Sequence, residues 1–132
     1  MLATVLEELR AWLSTYFNRD RYPVDIVLIP KALEENSRQV DLLGNSRTGY
    51  RCYVNLRWEL PGQGDQIENA LKLLAFQNWV QEQSALGVAP RLGDIPALER
   101  ISTEKGGFTP SQQVVNYTVT LVAEFAKVYD VK

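Results

Sequence analysis

The sequence predicts an α+β fold, a mainly antiparallel sheet packed against two helices in the order α-β-β-β-α-β-β. Three observations carry this. The opening segment places apolar residues at helical spacing, whereas residues 50–60 and 114–125 alternate apolar and polar residue by residue. The strand-like segments are also grouped on either side of a second helical segment instead of alternating with helices, which separates α+β from a parallel α/β sheet. At 132 residues, with 45% hydrophobic and 23% charged, the chain is expected to form a single domain, 1–132, with a proper core.

The first element is an amphipathic helix. Leu2, Val5, Leu6, Leu9, Trp12, Leu13 and Tyr16 follow the i, i+3, i+4, i+7 rule, and Phe17 ends the pattern before the polar turn Asn18–Arg21. Pro23 opens a β-branched apolar strand over Val24–Ile29, which Pro30 closes. A short strand over Arg38–Leu43 is expected to pair with Tyr50–Leu60 across the turn Gly44–Gly49. In the long strand Tyr50, Cys52, Val54, Leu56, Trp58 and Leu60 form one face, and Arg51, Tyr53, Asn55, Arg57 and Glu59 the other.

Pro61 and Gly62 stop that strand, and Asp65 with Glu68 three residues later reads as the capping box of a helix running to about Ala85. Ile67, Ala70, Leu71, Leu74, Phe76, Trp79 and Val80 give it a wide apolar face, expected to pack across a sheet, with Gly87 at the left-handed terminal position. Pro90, Gly93 and Pro96 make an irregular linker with at most one turn near Ile95–Leu98. Arg100–Glu104 is a further strand, Gly106-Gly107 a bend or bulge, and Val114–Phe125 a final long strand in which Val115, Tyr117, Val119, Leu121, Ala123 and Phe125 alternate against Asn116, Thr118, Thr120, Val122 and Glu124.

Composition excludes several kinds of chemistry. The chain has no histidine, so a serine or cysteine nucleophile would lack its usual base, and zinc and haem sites lose their commonest ligand. Cys52 is the single cysteine, which precludes an internal disulfide; its place among inward residues reads as a buried, inert thiol. The five lysines, Lys31, Lys72, Lys105, Lys127 and Lys132, sit in polar or turn contexts unsuited to a catalytic base. Gly44–Gly49 spaces two glycines like a phosphate loop but continues into Tyr50-Arg51 without the required lysine and hydroxyl, so it reads as a turn. The pairs Glu7-Glu8 and Glu34-Glu35 are sequence neighbours that do not converge on a helix, and read as solvated rather than as a metal site. Asn116-Tyr117-Thr118 matches a glycosylation acceptor but falls within a strand. No catalytic, cofactor or metal residue is therefore assigned.

The charge balance, 14 basic against 16 acidic residues, argues against a general nucleic-acid binder. No apolar run is long enough to span a membrane, and Glu7 and Glu8 without a basic leader argue against a signal peptide. What remains is surface. Arg51, Tyr53, Arg57 and Glu59 make a polar strand face of the composition enriched at protein interfaces, although an ordinary solvated sheet face has the same pattern.

The second half of the chain adds a resemblance. Glu68-Asn69-Ala70, Asn78–Gln83 and Gly87–Leu92, followed by Ile101–Thr103, Gly107-Phe108 and Tyr117–Leu121, resemble the minor capsid protein family of long-tailed phages and of prophages of Gram-positive bacteria. Asp41–Ser46 is similar to that family's turn before its long strand, while Phe108 stands where the family more often has tyrosine. The order of elements, with Asp94–Leu98, also resembles the tail terminator proteins of lambda-like phages. The likeness covers roughly residues 40–126.

It implies a structural virion protein that is not an enzyme and needs no cofactor. Its copies would form a ring, a hexamer in the resembling group, that caps the tail tube and joins it to the head. Its partners would be itself, the tail tube and neck or head proteins, with no membrane and no specific nucleic acid. It would be found in the virion, and in the bacterial cytoplasm during assembly. Arg51, Tyr53, Arg57 and Glu59 are the expected ring or partner contacts. A head-completion or neck connector is the nearest alternative, marked by a positive lumen; a small ligand-binding module or hydrolase is the alternative of another class.

Overall fold

The computed structural model describes residues 2–17, 25–62, 65–86, 100–111 and 113–129. Two helices and four strands follow in the order α1 (Leu2–Phe17), β1 (Ile26–Val40), β2 (Ser46–Pro61), α2 (Gln66–Ala85), β3 (Arg100–Pro110) and β4 (Val114–Tyr129). The strands form one sheet in the order β1-β2-β4-β3, with every neighbouring pair antiparallel. The α+β fold read from the sequence is thus present, with β1 and β3 as the edges.

The two strands expected over residues 24–29 and 38–43 are arms of one strand, β1. It stays paired with β2 from Ile26↔Trp58 to Val40↔Ser46 through two register shifts, at Pro30/Ala32 and at Glu35/Ser37. An edge strand tolerates this because Pro30 needs no inner ladder bond and bulges are typical of edges. Counting the arms separately recovers the expected α-β-β-β-α-β-β order.

The turn also lies earlier than expected. It spans Asp41–Asn45, and Ser46–Gly49 already belong to β2. The Asp41 carboxylate accepts from the Leu43 and Asn45 backbone N–H groups at 2.8 and 3.0 Å, and from the Asn45 amide at 3.0 Å. Gly44 turns the chain at φ 88°, a left-handed angle that favours glycine. These bonds override the apolar character of Leu42-Leu43, which the sequence reading placed in a strand.

Both helices lie on one face of the sheet, because both touch Trp58. Its ring centroid is 5.0 Å from that of Phe17 in α1 and 5.0 Å from that of Phe76 in α2. The helices meet each other where Trp12 stacks on Trp79 at 4.7 Å. Beneath them the inward residues of β2 and β4 are buried as the alternation predicts, Cys52, Val54, Leu56 and Trp58 against Val115, Tyr117, Val119, Leu121, Ala123 and Phe125. Trp58 and Tyr117 stack across the two strands with centroids 5.2 Å apart. Tyr117 donates its hydroxyl to Asn69 Oδ1 at 3.3 Å, tying β4 to α2 inside the core.

Helix α2 begins as expected: the Asp65 carboxylate accepts from the Glu68 N–H at 2.7 Å, satisfying an otherwise free donor. Of its expected apolar face, Phe76, Trp79 and Val80 are buried, and the rest differs. Asn69, Leu73, Phe76, Trp79 and Val80 face inward, whereas Ile67, Leu71 and Leu74 are exposed on the opposite side. The polar turn at 18–21, the strand opening at Pro23-Val24, the Gly87 cap and the linker over 90–98 lie outside the described residues.

Candidate functional site

Among the described residues, neither helix covers the other face of the sheet. The odd-numbered residues of β2 point there, and the register sets Arg51 opposite Glu124, Asn55 opposite Thr120 and Arg57 opposite Thr118. Val27 and Ile29 of β1 stand beside Arg57 and Asn55 and are exposed. The centre is not bare to solvent: Thr120 and Val122 of the inner strand β4 are buried.

Arg51, Tyr53, Arg57 and Glu59 therefore share one face, as the alternation implies, but they are not equivalent. Arg51 is committed within the chain, donating from Nε at 3.0 Å and from Nη2 at 2.7 Å to one Glu124 oxygen. Glu124, through this bond and its charge, and then Tyr53, raise the Arg51 guanidinium above its usual range. Arg57 makes no ion pair among the described residues.

Two lysines that sequence reading did not assign to this face join Arg57. Lys31 is the extra residue of the Pro30/Ala32 bulge in β1; Lys105 lies in the Glu104/Gly107 bulge of β3 and has φ 52°. A bulge adds a residue without a partner and changes the phase of the strand, so alternation alone could not place either side chain. The signals present were Pro30 on one edge and Gly106-Gly107 on the other. Lys31, Asn55, Arg57, Lys105, Thr118 and Thr120 line a shallow depression of about 230 Å³. On its floor Thr120 donates to Asn55 Oδ1 at 3.0 Å, leaving the Asn55 amide as a donor. Among the described residues no carboxylate lines it, although the register sets Glu104 opposite Thr120.

A second depression, of about 410 Å³, lies between α2 and β3 and is lined mainly by polar side chains, among them Gln77, Gln81, Ser84 and Arg100. It is not the apolar concavity that a small-ligand module would use. Cys52 is buried on the helix-covered face, and burial pushes its thiol up, away from the reactive thiolate. Among the described residues no helix is long and apolar enough to cross a membrane, and no group of three or more carboxylates and thiols is placed to hold a metal.

The third feature is the β1–β2 hairpin. Apart from Asn36, whose side chain is not described, every residue from Pro30 to Gly44 is exposed. At its tip the hydrogen-bonded Asp41–Asn45 turn holds Leu42 fully and Leu43 largely in solvent. The chain matches no known protein family and no curated protein.

Proposed function

We propose that this chain is a structural protein of a long-tailed phage or prophage virion that forms a ring at the head-proximal end of the tail, capping the tube and joining it to the head. One observation supports it most. Two different apolar surfaces are exposed among the described residues: the hairpin tip with Leu42 and Leu43, and the outer stripe of α2 with Ile67, Leu71 and Leu74. A surface that pairs with a different surface on the next copy builds a heterologous contact, and such contacts close into a ring when the rotation between copies closes and run on as an open filament when it does not. The resemblance over residues 40–126 supplies the ring's place in the virion and its six copies.

These apolar surfaces are better ring contacts than the Arg51, Tyr53, Arg57 and Glu59 face, because Arg51 is already held by Glu124. The role needs no cofactor and no reacting group, only surfaces. The assembled ring belongs to the virion, its free copies to the bacterial cytoplasm.

The test compares the natural chain with Leu42→Asp/Leu43→Asp by light scattering, circular dichroism and electron microscopy of tails. The variant should keep its native spectrum, since exposed side chains carry little of the stability. It should fail to form rings and should give overlong tails without heads. Rings of unchanged size would reject the tip as a contact. Normal tails beside heads that leak DNA would favour the neck connector instead.

A further inference from the structure

We infer that the depression on the open sheet face is a sequence-independent site for the phosphate backbone of a nucleic acid. The formal charge of −2 hides a separation of charge: Lys31, Arg57 and Lys105, from three different strands, meet around one depression that no carboxylate lines among the described residues. None of the three forms an ion pair among the described residues, whereas Arg38 and Arg51 pair with Glu35 and Glu124. Unpaired cations on a folded surface are ready partners for an external anion, because no internal bond has to be broken.

The arrangement sets the ligand class. Three positive charges exceed what one carboxylate neutralises, so the ligand is a polyanion. The cations run across the sheet from edge strand β1 to edge strand β3. At a strand spacing of about 4.8 Å that is roughly 14 Å, or about four phosphates of one DNA strand at about 3.4 Å of axis each. The Asn55 amide and the Thr118 hydroxyl add neutral donors of the kind that contact phosphate oxygens. Among the described residues no aromatic ring lines the depression to stack on a base, so the backbone is held and the sequence is not read. The site does not require the ring proposed above.

The test uses the isotope-labelled full chain titrated with a short duplex of random sequence at several salt concentrations. Amide shifts should centre on Lys31, Asn55, Arg57, Lys105, Thr118 and Thr120. The logarithm of the binding constant should fall against log salt with a slope of about −2.7, for three contacts at about −0.9 each. Lys31→Gln/Lys105→Asn should reduce the slope to about −0.9. Asparagine is chosen at 105 because it tolerates the left-handed backbone there. Shifts centred elsewhere, or an unchanged slope in the variant, would overturn the site. Equal shifts with polyglutamate at the same charge concentration would overturn the phosphate assignment in favour of an acidic protein partner. Because the titration reads no assembly, its failure leaves the ring proposal standing, and failure of the ring leaves the titration valid.

Discussion

On one side of β2, Cys52, Val54, Leu56 and Trp58 are shut beneath two helices; on the other, Arg51, Tyr53, Asn55 and Arg57 stay within reach of solvent. The backbone is common to both, so the difference lies in what each set of side chains requires. Buried aromatic rings contribute through area and packing, and Phe76 is their hub, within 5.0 to 6.2 Å of Trp58, Tyr16, Phe17 and Trp79 by ring centroids. Helix α2 repeats the comparison with a different result. Its inner and outer faces are both apolar, yet only the inner one is covered. Apolar character alone therefore does not locate the core, because both sides of this helix carry apolar residues and only one is buried.

The sharpest way to break this comparison is to cut into each face of α2. Phe76→Ala should cost about 3–5 kcal/mol, because it removes a fully buried ring and leaves a cavity among four others. Leu71→Gln/Leu74→Gln should change the stability of the monomer by no more than about 0.5 kcal/mol per site. Urea unfolding followed by tryptophan fluorescence measures both. Comparable losses would mean that the outer stripe is already covered in the isolated chain. A smaller effect is expected at Cys52→Ala, about 1 kcal/mol for a small cavity. Before substitution, the native thiol should react with a thiol reagent only as fast as the protein unfolds; rapid labelling would put Cys52 on the open face.

How much of this was legible depended on whether a strand kept its phase. Cys52 among Tyr50, Val54 and Leu56, or Tyr117 among Val115 and Val119, could be placed by parity because β2 and β4 pair without a shift over their whole length. Asp65 could be placed because a cap is a local bond between a side chain and a nearby N–H. Lys31 and Lys105 could not, since each sits where a bulge resets the phase. The length of β1 was hidden for a related reason: its second arm lies beyond the helices, so burial imposes no alternation on it. The outer stripe of α2 was misread as core because helical spacing states which residues share a face, not which face is covered. The pairing of Arg51 with Glu124 joins strands 73 residues apart, a separation at which only register brings partners together.

The hairpin tip sharpens the comparison in the mildest way, through acid. Burial works against the charged form of Asp41, but hydrogen bonds from the Asn45 side chain and from the backbone of Asn45, Leu43 and Gly44 outweigh it and hold the carboxyl below its ordinary 3.8. A carboxyl lowered in the folded state adds stability that is complete above its unfolded value and is lost as pH falls through the folded one. The turn should therefore be intact at neutral pH and loosen below pH 3.8, while the covered core, whose contacts are aromatic and aliphatic, changes little over the same range. Amide exchange at Leu43 and Asn45, the two N–H donors to Asp41, reports this directly. Relative to the intrinsic rate at each pH, their protection should fall on acidification while that of Val54 and Leu121 is kept. Asp41→Asn should give weaker protection at those two amides already at neutral pH, because a neutral amide oxygen is a poorer acceptor than a carboxylate. If Leu43 and Asn45 keep full protection through the acid range, the turn is held by Gly44 and the strand pairing, and Asp41 only decorates it.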